Sequence, residues 1–247
     1  MGALTEDHIP PKGASRLQQV KMMHIVDMLS LQRPNRSTRY AQRGVKYRTL
    51  CGQCNNERLG HRYDPTLIAL ARDVRRLLES KLLLPPQIEV ITKPNRLLRS
   101  VIGHLLAFGV GQHRDGGAIN GLTDFFLDES GPFPADIKLY YWLYPFNDQV
   151  LIRHAGVSFH YRANFAPFML LKFFPLAFFL VINEPPTWRL RHRRADLLMS
   201  SDIDRDVPMA VELHEIPHQR WPEAPGDEGI VLYGDGATGA IPRLPGG

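Results

Sequence analysis

Apolar positions along this chain recur first with a helical period and then, past the middle, with the alternation of strands. Residues 1–13 read as a short strand running into a Pro10-Pro11-Lys12-Gly13 turn. Leu17, Val20, Met23, Ile25, Val26 and Leu29 predict a helix over Arg16–Leu31, the polar and basic Arg33–Arg43 a loop, and Val45–Leu50 a strand. The strongest helix signal follows. Asp64 is placed to act as N-cap and Pro65 suits the first helical position, where no amide donor is needed. Leu67, Leu70, Ala71, Val74, Leu77 and Leu78 then form one stripe, which Pro85-Pro86 ends. Ile88–Thr92 alternates as a strand, and Asn95–Phe108 reads as a second helix ending in the Gly-rich Gly109–Gly117.

Strands dominate from about residue 135. Ile137–Tyr144 and Gln149–His154 flank Pro145-Phe146-Asn147-Asp148, which predicts a hairpin. Val157–Tyr161, Leu176–Asn183, Trp188–Arg191, Ala210–His214 and Ile230–Tyr233 are further strand candidates, and the Gly/Pro-rich tail Gly234–Gly247 is expected to be poorly ordered. Phe165–Ile182 is almost wholly apolar, but Lys172 near its middle, Pro167 and Pro175 oppose a membrane span. That run predicts buried strands or a broken core helix. With no signal-peptide pattern after Met1, the expectation is a soluble, cytoplasmic protein.

Charge changes the picture more than composition does. The hydrophobic fraction of 44% is ordinary and the net charge of +5 is mild. Yet residues 1–60 hold ten Lys/Arg against four acids, so the excess sits in that segment. Such a basic segment suits a polyanion partner, since contacts to phosphate supply most sequence-independent nucleic-acid affinity; a solvated basic surface explains it equally well. The two cysteines, Cys51 and Cys54, stand as Cys-x-x-Cys, the spacing of a metal or redox pair.

Two short motifs carry chemistry: Thr5-Glu6-Asp7-His8-Ile9-Pro10-Pro11-Lys12, and Arg48-Thr49-Leu50-Cys51-Gly52-Gln53-Cys54-Asn55-Asn56 followed by Leu59-Gly60. A histidine near its ordinary pKa suits a general base at neutral pH. A carboxylate with an amide oxygen is a hard donor set that favours Mg²⁺ or Mn²⁺. Over about residues 4–64 these motifs resemble the HNH (His-Me finger) nucleases, nearest the recombination endonuclease VII branch. The resemblance implies a ββα-metal unit in which His8 activates water. Asp7 and Asn55, with Asn56 as the alternative, would hold a catalytic Mg²⁺ or Mn²⁺. Cys51 and Cys54 would form half of a structural Zn²⁺ knuckle. Lys12, Arg39, Arg43, Lys46 and Arg48 stand between or beside the motifs, where they could track a nucleic-acid backbone, with DNA the expected partner.

The sequence departs from that family in three ways. The second Cys-x-x-Cys usual upstream of Asp-His is missing, Lys46 stands where the middle Asn is expected, and the interval from His8 to Cys51 is long. Two thiolates cannot complete a tetrahedral zinc site. The other ligands would come from upstream of the given start or from a histidine such as His24 or His61, or zinc is absent. The expected fold is α+β: an N-terminal HNH-like module over residues 1–64, then two helices and a mostly antiparallel sheet over 65–233, then a flexible tail over 234–247. The expected function is a metal-dependent endonuclease with no small-molecule cofactor, and the alternative is a non-catalytic, zinc-containing nucleic-acid-binding or interaction protein.

Other motif matches fail on local grounds. His214-Glu215-Ile216-Pro217-His218 fits the zinc-protease pattern, but Pro217 breaks the helix that chemistry needs. Gly234-Asp235-Gly236-Ala237-Thr238-Gly239 fits a dinucleotide fingerprint, but no phosphate-capping helix can follow it in Ala-Ile-Pro-Arg-Leu-Pro. Arg189, Arg191 and Arg193 would share one strand face, either as a second phosphate contact or as a basic edge that deters aggregation. Tyr140, Tyr141, Trp142 and Tyr144 read as sheet packing.

Overall fold

The computed structural model describes residues 3–16, 18–25, 27, 38–108, 117–158, 165–186, 188, 190–213, 230–232 and 237–242. The chain opens with β1 (Leu4–His8), β2 (Val20–His24), β3 (Arg39–Ala41) and β4 (Lys46–Cys51). Two helices then run on from one another: α1 (Gln53–Tyr63), wound with the wide i→i+5 turn of a π-helix, and α2 (Asp64–Leu78). Strand β5 (Gln87–Thr92) separates them from α3 (Pro94–Ala107) and α4 (Gly117–Leu127). The rest is β6 (Ile137–Leu143), β7 (Gln149–Ser158), β8 (Phe165–Phe173), β9 (Leu176–Ile182), β10 (Arg193–Arg194), β11 (Val207–Glu212), β12 (Ile230–Leu232) and β13 (Ala237–Pro242). The protein is mixed α+β, and its named strands pair antiparallel.

Nine strands form one sheet in the order β10-β6-β9-β8-β7-β13-β2-β3, with β12 on the same edge of β7 as β13. Strands β1 and β4 form a separate pair, as do β5 and β11. The large sheet is buried on both faces, which is why Phe165–Ile182 reads as an unbroken apolar run. Met169, Leu171, Phe173, Phe178 and Leu180 join the core shared with Leu67, Leu70 and Val74 of α2 and Leu97, Val101 and Leu105 of α3. Phe168, Leu170, Phe179 and Val181 face the other way, into a second core with Trp142, Ile152 and Trp188. Lys172 is enclosed, with Nζ 4.7 Å from the centre of the Tyr144 ring. Of the two readings of this run, buried strands is the one realised. Among the described residues no helix is long and apolar enough to cross a membrane.

Several expected elements differ. Arg16–Leu31 contains a strand, β2, in place of a helix; Leu17, Val26 and residues 28–31 lie outside the described residues. Val20 and Met22 enter one core while Met23 and Ile25 enter the other, and a strand buried on both faces imitates a helical period. Part of the expected loop, Arg39–Ala41, is β3. Asp64 is not an N-cap, because α1 runs straight into α2 and no side chain caps the junction. Among the described residues three α-helices, α2, α3 and α4, follow the N-terminal unit in place of the expected two, with β5 between α2 and α3, and Asp196–Leu198 adds a short 3₁₀ turn.

The expected hairpin across Pro145–Asp148 does not form. Strand β6 pairs with β9 and β7 with β8, so the β8–β9 hairpin lies between them in Greek-key order. Gln149–Ser158 is one strand, and Tyr161 lies outside the described residues. No strand includes Trp188, Leu190 or Arg191, whereas Arg193 and Arg194 form β10; Arg189 is not among the described residues. Arg193 is engaged by Glu212 and Gln87. Ala237–Pro242, expected as loose tail, is β13, between β7 and β2. Residues 214–218 lie outside the described residues.

Candidate metal centre

Strands β1 and β4 meet with Leu4 opposite Cys51, Thr5 opposite Leu50, Asp7 opposite Tyr47 and His8 opposite Lys46. The register shifts between Thr5 and Asp7, where Arg48 and Thr49 of β4 stand opposite Glu6 alone, so β4 bulges there, a device that re-aims neighbouring side chains. Asp7 is buried and His8 half-buried as a result. After β4, Gly52 leads into α1, whose buried positions are Asn55, Leu59 and Tyr63, one per wide turn. The first of these returns to β1, opposite the bulge. Asn55 Nδ2 donates to Thr5 Oγ1 and to the Glu6 carbonyl, each at 2.9 Å. Thr5 Oγ1 in turn donates to the Leu50 carbonyl at 3.1 Å. The two sequence motifs, more than forty residues apart, are thus joined by side-chain hydrogen bonds.

Behind Asp7 lies a buried relay that sequence reasoning missed. His104 of α3 is fully enclosed, with Nδ1 2.9 Å from Asp7 Oδ2 and Nε2 3.0 Å from Asp64 Oδ1. Ser100 Oγ, one helical turn earlier, donates to Asp64 Oδ1 at 2.7 Å. Burial alone would lower the His104 pKa. The Asp7 and Asp64 carboxylates outweigh it and push the pKa up to about 10, so the ring is an imidazolium donating from both nitrogens. The missed signal was polarity out of place. Ser100 and His104 stand four residues apart among the apolar positions Leu97, Val101 and Leu105 of the helix.

His8 carries the opposite field. Burial lowers its pKa first, Lys46 lowers it further and Asp7 opposes, with Lys12 adding to the lowering. The imidazole is therefore neutral at pH 7, and its Nε2 is enclosed without a hydrogen-bond partner. Lys46 and Lys12 stand close enough to the ring for their charges to act on it. Lys46 and Arg48 each reach Glu6 at 3.5 Å. These are surface pairs of small net strength, which a phosphate could displace. Lys12, Arg39, Arg43 and Arg48 are exposed; Arg39 is on β3, and Arg43 is in the turn between β3 and β4.

The donor chemistry suits a hard cation. Asp7 commits Oδ2 to His104, and Asn55 commits its amide nitrogen to β1. Among the described residues neither the Asp7 Oδ1 nor the Asn55 Oδ1 has a hydrogen-bond partner. Two such oxygens fit Mg²⁺ or Mn²⁺, which keep several positions for water and phosphate. Asn56 is exposed, on another side of α1 from Asn55. Cys51 and Cys54 are free thiols, both partly buried. Hydrogen bonds from the Cys54 backbone and thiol lower the Cys51 pKa, while burial and Cys51 itself raise that of Cys54. Among the described residues no three His, Cys, Asp or Glu side chains group to hold a metal, so neither His24 nor His61 completes a zinc site with the two thiols. Comparison with protein-family models, curated proteins and solved structures finds no match.

Proposed function

We propose that this chain is a divalent-metal-dependent endonuclease that hydrolyses phosphodiester bonds in nucleic acid, with DNA the expected substrate, through a ββα-metal unit of the HNH kind. One observation carries this reading: Asn55, at the start of the helix after β4, is hydrogen-bonded to Thr5 and Glu6 of β1, beside Asp7-His8. The unit is interrupted in sequence by β2 and β3, which belong to the large sheet. In this reading Asp7 and Asn55 hold Mg²⁺ or Mn²⁺ through their carboxylate and amide oxygens. A cation bound there supplies positive charge against the phosphate and the leaving oxygen. His8, neutral at pH 7, takes the proton from the attacking water. Lys46, opposite His8 on β4, and Lys12, whose charge also reaches the ring, draw the phosphate toward it. The two thiols amount to half of a zinc site, and no chemistry is routed through them.

A second reading has one observation in its favour. Asn55 spends both amide hydrogens on β1, so it secures hairpin to helix with or without an ion. That is what a non-catalytic nucleic-acid-binding or interaction module would need. Plasmid and branched DNA incubated with Mg²⁺ or Mn²⁺ separate the two. The nuclease reading expects cleavage that EDTA stops and that His8→Ala reduces by at least about 100-fold, the contribution of a positioned base. Binding of DNA without cleavage by either protein supports the module. Equal cleavage by wild type and His8→Ala removes His8 from the chemistry.

A further inference from the structure

The Asp7–His104–Asp64–Ser100 chain is costly to bury. Its four residues come from three elements, and none is more than 6% exposed. Apolar side chains of similar volume would often fill such a space with equal or greater stability, so the polarity calls for another explanation. A carboxylate turns broadly about its last torsion unless something holds it. Here the His104 Nδ1–H holds Asp7 Oδ2, and the ring that does so is pinned at its far nitrogen by Asp64, itself fixed by Ser100. Next in the chain, Gly103 allows α3 its close approach to α1. A Cβ there would stand 2.6 Å from Leu59 Cδ2, on the helix that carries Asn55.

We propose that His104 is a positioning residue that fixes the Asp7 carboxylate so that its other oxygen is presented to the divalent cation. This rests on the nuclease reading and names the part of the fold that prepares its metal site. Hydrogen-bond partners of metal-binding carboxylates act in this way, and losing them typically costs about 10–100-fold in metal affinity or activity.

The test is Mn²⁺ binding to the full chain, titrated by calorimetry or electron spin resonance, beside kcat and KM on DNA. Wild type binds Mn²⁺ at a site that Asp7→Asn weakens or removes. His104→Ala binds it about 10–100-fold more weakly, with KM for DNA unchanged and the loss of kcat largely recovered at high Mn²⁺. His104→Asn keeps an N–H close to where Nδ1 stands and restores most of the affinity. Should His104→Ala fail to fold, Asp64→Asn preserves the shape of the site and loosens the ring, so weaker Mn²⁺ binding is expected there too. Wild-type affinity in the folded His104 and Asp64 variants overturns the inference and leaves the nuclease reading standing. So does a His104→Asn that binds no better than His104→Ala, because the N–H would then not be what matters. A wild type without an Asp7-dependent Mn²⁺ site overturns both.

Discussion

Histidines in this protein are governed by what stands beside them. His104, between two carboxylates, is held charged, whereas His192 is stacked on Trp142 with ring centres 4.5 Å apart, and burial pushes its pKa down from 6.5 to about 4. The unfolded chain therefore takes up a proton at His192 before the folded protein does. Its contribution to stability is present above about pH 6.5, falls as pH drops toward 4, and is spent below that. Because the ring is only partly buried, the loss is on the order of 1–2 kcal/mol, short of what the whole shift would imply. His192→Phe should flatten this window, so between pH 7 and pH 4 the denaturant midpoint of wild type should fall relative to that of the variant; a constant difference would show that His192 does not titrate across folding. At this scale the sequence was legible where chemistry sits in short motifs. Asn55 of the second motif is hydrogen-bonded to Thr5 and Glu6 of the first, next to Asp7 and His8. Asp64 and His104 do not announce themselves, because their partners are 40 and 97 residues away. Asp64 also had a plausible local role as a helix cap, which the continuous α1–α2 run removes.

Among elements, α3 decides how the site is assembled, since it touches α1, α2, α4 and the large sheet. Gly103 is the residue that lets it approach. A methyl there meets Leu59 Cδ2 and Phe126 Cε2, both at 2.6 Å and both in the core. Alanine is the better helix former by about 1 kcal/mol, yet overpacking of this kind costs about 1–3 kcal/mol. Gly103→Ala should therefore lower the urea midpoint. Where α1 gives way, Asn55 moves with it and Mn²⁺ binding should weaken as well; an unchanged midpoint would mean that Leu59 and Phe126 repack without displacing α1. Helix α2 was legible because it turns one apolar stripe, Leu67, Leu70, Ala71 and Val74, to one core, and α3 was read too, whereas α4 was not. Strand β2 was misread for the opposite reason: Val20 and Met22 serve one core, Met23 and Ile25 the other, and local pattern cannot separate that from a helix. The pairing that makes it a strand comes from β13, over two hundred residues along the chain.

That long-range pairing ties the candidate site to the rest of the molecule. Strand β13 hydrogen-bonds to β7 on one side and β2 on the other, while β2 and β3 are the segment inserted between β1 and β4. No rule of local sequence could place Ala237–Pro242 there. A Gly/Pro-rich segment is read as a tail, and only the two unpaired edges it fills give it a strand. Gly239 lies opposite Met23 on β2 and Val150 on β7, so its amide faces one or the other strand. Gly239→Pro removes that donor from the interior of a sheet, where proline is essentially not tolerated. The carbonyl left unpaired costs about 1–3 kcal/mol. Hydrogen exchange should then quicken in Val20–His24 and Gln149–Ile152 together, while β5 and β11 keep their protection, because they form a separate sheet. If β2 loosens, the β1–β4 pair loses the anchor at both ends of its inserted segment, and Mn²⁺ affinity should fall although no residue of the site has changed. Faster exchange in β7 and β2 with unaltered Mn²⁺ binding would show instead that the β1–β4–α1 unit holds its geometry through the helices alone.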